Sequence, residues 1–276
     1  MSRRALFPLG LIVAAVVFGA FLVLPLVAIF SRVSLGTLVG QFGAKVVTDA
    51  LIVSLKTTLI AQALILLFGT PTAYLLATRR DFPGRPLAIT LVELPLVLPP
   101  AVAGIGLLAA FGRVGLLGPT LRAFGIELPF TQAAVVLAVA FVASPLYVRQ
   151  AIAAFEAVDQ SLVDASRTLG ASPARTFWRI AIPLALGGLA AGAALSFARG
   201  LGEFGATIMF AGSFQGITQT LPLAIYAEFE NRFDVALAVS ALLVVISAVL
   251  LLLMKIWLGW TSQSTSPFLF ARTRSS

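Results

Sequence analysis

Long apolar runs alternate along the chain with short polar connections. Six stretches carry enough mostly apolar length to approach or reach the roughly 20 residues a helix needs to cross a bilayer. They are 6–30, 57–77, 87–111, 133–148, 180–197, with an extension of the fifth towards 210 left open, and 235–258. The pattern predicts an all-α integral membrane protein with six transmembrane helices. No repeat, low-complexity linker or connection long enough for a soluble domain interrupts it, so residues 1–276 are expected to form a single domain with its core over 51–258. The first run begins after a basic start, as a signal peptide would. Its apolar length over 5–30 far exceeds the 7–15 residues of a signal h-region, so it reads as a retained span.

Between spans four and five, residues 156–183 break the pattern. In "VDQSLVDASRTLG", Asp159 is a suitable N-cap, Leu162, Ala165 and Leu169 share a face by i, i+3, i+7 spacing, and Gly170 is placed to end a helix. "SPAR" then restarts one, with Ser172 as N-cap and Pro173 at the first helical position. The local chemistry predicts a short exposed helix joined by a tight turn to the helix of span five. An ordinary amphipathic loop on the membrane surface satisfies the same local pattern.

Composition agrees with a membrane protein: 59% of residues are hydrophobic and 11% charged, against roughly a quarter charged in soluble domains. The net charge of +8 is therefore read as a topology marker before it is read as a nucleic-acid surface, and no nucleic-acid partner is expected. With the N-terminus inside, the inner segments hold Arg3, Arg4, Arg79, Arg80, Arg85, Arg149, Arg167, Arg175, Arg179, Lys255, Arg272 and Arg274. The outer segments hold Arg32, Lys45, Lys56, Arg113, Arg122, Arg199 and Arg232. The inner excess places both termini in the cytoplasm and 156–183 on the cytoplasmic side. The chain has neither Cys nor His, which excludes disulfides, Cys or His metal sites, thiolate nucleophiles and His-based proton transfer.

Asp164, Ala165, Ser166, Gly170, Ile180 and Pro183 fit the spacing E-A-A, three residues, G, nine residues, I-x-L-P. With that spacing the chain resembles the permease subunits of ABC importers, the membrane components of ATP-driven uptake systems. It departs from the signature with Asp164 for Glu, Ser166 for Ala and Ile182 for Leu. The resemblance implies that 156–183 is a cytoplasmic coupling segment, with Asp164, Ala165, Ser166, Leu169, Gly170, Ala171, Ile180 and Pro183 seating it in a groove of the ATPase. The chain has no G-x-x-x-x-G-K-[ST] phosphate loop, so ATP and Mg are expected on a separate cytoplasmic ATPase subunit, present in two copies, and no cofactor on this chain. "ELPLVLPPAVAGIGLLAAFGRVGLLG" and "GEFGATIMFAGSFQGITQTLPLAIY" extend the resemblance, over roughly 57–258, to the molybdate branch of the family, with sulfate permeases close by. The resemblance further implies an extracytoplasmic oxyanion-binding protein, docked near 112–131 and 212–234, and a second copy of the chain completing a homodimeric pathway in the inner membrane.

Candidate pathway residues are those that give polar character to the spans: Glu93, Pro99, Pro100, Ser196, Arg199, Glu203 and Thr207. Prolines inside spans free backbone carbonyls, which are tolerable only beside protein or a wet cavity. Glu93 is expected near the inner boundary, paired with Arg79, Arg80 or Arg85. If the fifth helix continues through Phe210, Arg199 and Glu203 stand four residues apart on one face. That pair reads first as a structural lock, with an oxyanion contact or outer gate as the functional alternative. "GLAAG", Gly188 to Gly192, predicts close packing between helices of one chain.

A dianion is too costly in a dry site that lacks paired charge, and these spans hold few cations, so a wet, weakly binding pathway is expected. Transport of molybdate, with tungstate as its near match in size and shape, is the first functional expectation, and a sulfate or thiosulfate permease is the alternative. An ion-coupled secondary transporter would show midplane carboxylates and an internal repeat. A membrane enzyme would need a convergent acid, base or metal constellation. The sequence offers little of either.

Overall fold

The computed structural model describes residues 3–33, 36, 40–41, 43–79 and 81–263. Arg80, Arg272 and Arg274 lie outside the described residues, and the side chains of Arg3, Arg4 and Lys255 are outside them too. The described chain is helical, with no strand. Its helices are α1 (Arg3–Arg32), α2 (Lys45–Thr78), α3 (Arg85–Val97), α4 (Pro100–Phe111), α5 (Gly118–Ala123), α6 (Gln132–Glu156), α7 (Gln160–Thr168), α8 (Pro173–Leu201), α9 (Gly205–Ala211), α10 (Leu221–Phe229) and α11 (Phe233–Gln263).

Five of these are long and apolar enough to cross a membrane, and α3 with α4 makes a sixth apolar unit as a bent pair, a broken span or a re-entrant loop. The expectation of one continuous helix over 87–111 is corrected here: α3 and α4 meet at 115°. Two adjacent prolines force the bend. Pro99 pushes Leu98 out of the α region to ψ 133°, neither Pro99 nor Pro100 has an N–H for the ladder, and Pro100 then starts the new helix at its first position.

The fifth span is also broken. The helix does not run on to Phe210; α8 ends at Leu201 and α9 starts at Gly205. In a continuous helix the N–H of Ala206 would donate to the carbonyl of Gly202. Here it donates to Glu203 Oε1 at 2.8 Å, and glycines at 200, 202 and 205 lower the helical preference of the segment. α2 starts twelve residues before the expected 57, and two polar side chains of the added turns find partners in the chain. Ser54 Oγ accepts from the Leu221 N–H at 2.7 Å, and Asp49 Oδ2 accepts from Gln215 Nε2 at 3.3 Å.

α6 is the central helix. It is the most enclosed of the spans, whereas the apolar stretch of α1 has no buried residue on this chain. In lipid, apolar surface alone does not bring helices together, so small residues and close backbone approach must do so. Gly188 and Gly192 of α8 lie directly on Ala154 and Gln150 of α6, which places the GxxxG in packing within the chain. Gly69 of α2 sits against the Tyr147 ring, whose hydroxyl shares a hydrogen bond with Thr70. One apolar cluster joins α4, α6 and α9 through Leu107, Val135, Val139 and Phe210. A second joins α2, α6 and α8 through Ile65, Tyr147, Ala151 and Leu189.

Candidate functional site

The interval 156–183 folds as the caps dictate. The Asp159 carboxylate accepts from the Ser161 N–H at 2.9 Å and starts α7; the hydrogen bonds from Ser161 hold this carboxyl below the usual carboxylate range. At the far end Gly170 has φ +81°. Its N–H donates to the Arg167 carbonyl at 2.9 Å while Ala171 N–H donates to the Ser166 carbonyl at 3.0 Å, the paired bonds of a Schellman motif. Ser172 Oγ then accepts from the Arg175 N–H, and Pro173 opens α8.

Inside this elbow, Ser166 Oγ donates to the Val163 carbonyl at 2.7 Å and lies 2.9 Å from the hydroxyl of Thr176, which is fully buried. Ser166 thus pins α7 to the start of α8, a tie that the Ala of the family signature cannot make. Val163 is the α7 residue that packs inward. The stripe of Leu162, Ala165 and Leu169 faces away from the spans, with Leu169 87% exposed. Asp164 is exposed beside it, bonded to Gln160 Nε2 at 3.2 Å, and Ala171 is half-buried in the turn.

Ile180 and Pro183 lie at a π-turn, Phe177–Ala181, where the Ile182 N–H reaches back five residues to the Phe177 carbonyl. Pro183 explains it: with no N–H and a ring that crowds the carbonyl of Arg179, it forces one wide turn into the helix. The elbow is rooted in four helix ends. Arg85 donates to Glu156 Oε1 at 2.7 Å and to the Leu76 carbonyl at 2.9 Å, while Tyr74 packs on Phe155 and Phe177 at ring distances of 5.2 and 4.7 Å. Sequence reasoning missed Arg85, Glu156 and this aromatic trio as a unit; the isolated charges at two span ends were the only signal.

At the opposite ends of these spans the two broken helices meet. Gly205 lies against Pro100, and Gly104 against the backbone of Ala206 and the side chain of Met209. No side chain larger than hydrogen fits at either contact, so α4 and α9 form one packed layer. Arg199 Nη1 lies 2.7 Å from Glu203 Oε2 across the break, so the expected pair forms although the helix does not continue through it. The contact is an ion pair held by charge attraction. Arg199 is 34% exposed and Glu203 is sealed.

Ser196 and Thr207 are fully buried. Ser196 Oγ donates to Gln62 Oε1 at 2.9 Å, and the Thr207 hydroxyl and Gln62 Nε2 have no hydrogen-bond partner among the described residues. Pro99 and Pro100 are exposed at the bend. Glu93 lies on α3, short of that bend, and its partner is Arg149 of α6 at 3.7 Å, in place of the expected Arg79, Arg80 or Arg85. The reason is register: α3 runs antiparallel to α6, Arg85 is taken by Glu156 at the helix ends, and Glu93 meets the cation two turns back from Glu156. A cleft of about 530 Å³ between α2, α3, α4 and α6 is lined mostly by apolar residues such as Leu64, Phe68, Leu91 and Phe141, with Thr72 and Ser144 as its hydroxyl side chains.

Comparison with known proteins bears on the family and the fold. Residues 69–266 match a family described as binding-protein-dependent transport system inner membrane component. The molybdenum transport system permease protein ModB of Mycobacterium tuberculosis is 46% identical over 236 residues, covering 84% of this chain and 88% of that protein. The sulfate transport system permease protein CysW of Synechococcus elongatus is 34% identical over 247 residues, covering 88% and 85%. Among solved structures, a bacterial ABC transporter involved in the import of the acidic polysaccharide alginate aligns with a TM-score of 0.70 at 17% identity, over 93% of this chain and 96% of that one, which supports the fold.

Proposed function

The chain belongs to the family of binding-protein-dependent transport system inner membrane components, and on that premise we propose that it forms the translocation pathway for molybdate, with tungstate accepted as its near match. It is a multi-pass inner-membrane transport subunit and not an enzyme. The observation that carries the substrate is the 46% identity to a molybdenum permease, against 34% to a sulfate permease.

In this reading the elbow over 156–183 is the coupling segment. Its exposed stripe of Leu162, Ala165 and Leu169 offers an apolar surface to a groove on a cytoplasmic ATPase, and its caps, Schellman turn and Ser166–Thr176 tie keep it rigid. A rigid knob transmits displacement where a loose loop would absorb it. The Arg85–Glu156 pair and the aromatic trio then spread that displacement to α2, α3, α6 and α8 together. ATP is bound and hydrolysed by two copies of the separate ATPase, an external binding protein delivers the oxyanion, and a second copy of this chain completes the pathway.

The test is ATP hydrolysis by the chain reconstituted with its ATPase partner. Molybdate-loaded binding protein should raise the rate severalfold, and binding protein without ligand should raise it less. A rate indifferent to the loaded binding protein would refute the proposal.

A further inference from the structure

We propose that Glu203 is an internal counter-ion that keeps Arg199 from holding the transported oxyanion, making Arg199 a site of passage and not a trap. The proposal rests on the reading of the chain as an oxyanion permease and assigns a role to one buried carboxylate within it.

Arg199 lies in the last turn of α8, about 24 Å along the helix from Pro183, most of the width of a bilayer core. An arginine that near the end of a span keeps its guanidinium in contact with water. Its guanidinium is 34% exposed, and Glu203 is its only partner among the described residues. Nη1 is the nitrogen that meets Glu203 Oε2, at 2.7 Å, and a guanidinium carries five N–H groups, so donors remain for a passing anion. Guanidinium N–H groups in a planar fork match the oxygens of a tetrahedral oxyanion.

Without a counter-ion, that half-exposed cation would hold a dianion longer than a paired one does, and a longer hold would slow transport. Glu203 cancels the charge. It cannot swing away freely, because its other oxygen caps α9 through the Ala206 N–H at 2.8 Å and the side chain is sealed. The carboxylate is thus fixed beside the cation on the buried side, leaving the exposed side open to a passing anion that is also repelled by Glu203.

Glu203→Gln tests this with little change of shape, since the Gln carbonyl still accepts from Ala206. The chain is purified with its ATPase partner in nanodiscs, and labelled molybdate binding is measured without binding protein, alongside ATP-driven uptake in vesicles. Repulsion between a dianion and a carboxylate about 7 Å apart in a water-like dielectric corresponds to about tenfold in affinity. E203Q is therefore expected to bind molybdate about tenfold more tightly than wild type and to import it more slowly, and R199Q/E203Q to lose the added binding. E203Q binding within twofold of wild type would overturn the counter-ion role, as would a complex that falls apart on loss of either partner, the mark of a structural lock. A wild-type complex that imports no oxyanion would refute the permease reading itself.

Discussion

Gly170 gives the sharpest test of the elbow because its cost is separable from sterics. Its φ of +81° lies in the left-handed region, and a Cβ built there meets no atom within 4 Å, so a substitution strains the backbone without a clash inside the chain. Left-handed geometry costs an L residue roughly 1–2 kcal/mol, with β-branched side chains at the upper end and Asn tolerated best. A free elbow relieves the strain by unwinding the last turn of α7, and it must rewind to dock. The cost then appears as lost affinity for the ATPase: about 5-fold for Gly170→Ala and about 30-fold for Gly170→Val, with Gly170→Asn close to wild type. The assay is titration of the purified chain with its ATPase partner, with membrane insertion checked in parallel. Asn binding as poorly as Val would mean that the ATPase reads the bare Gly surface and not the turn, and equal binding by all four would refute the coupling role of the elbow.

Because the chain has no Cys, Leu169→Cys introduces a single thiol at a side chain 87% exposed; it should cross-link to the ATPase in the assembled complex and stay unlinked in the chain alone. Gly192→Leu should destabilise the α6–α8 contact by about 1–3 kcal/mol through overpacking against Gln150, lowering the thermal midpoint of the detergent-purified chain. Asp159 is held below its ordinary value, so its cap is fully present above about pH 4 and is lost as pH falls through the lower folded value. Protection against amide exchange at the start of α7, relative to the unfolded chain at the same pH, should therefore fall under acid in wild type and hold in Asp159→Asn, which caps without ionising.

The spans and the elbow were legible in the sequence for different reasons. Apolar length is a one-dimensional property, so six candidate spans could be counted. The caps at Asp159 and Ser172 and the turn at Gly170 are decided within five residues, so they could be placed to the residue. What escaped depended on two segments meeting. Pro99 and Pro100 marked an irregular place, but hydropathy runs unbroken through 87–111 and carries no sign of a 115° turn. The partner of Glu93 required the register of α3 on α6. The end of α8 required knowing that Glu203 would turn back to its own backbone; the glycines at 200, 202 and 205 were the visible trace of that break. Ser166, a departure from the family signature, became intelligible only beside Thr176.

The most direct test of the whole account is uptake of labelled molybdate into vesicles holding this chain, its ATPase partner and its binding protein, with and without ATP and with excess sulfate as competitor. The account predicts uptake that requires ATP and withstands sulfate. Uptake that proceeds without ATP, or that sulfate abolishes, would contradict it.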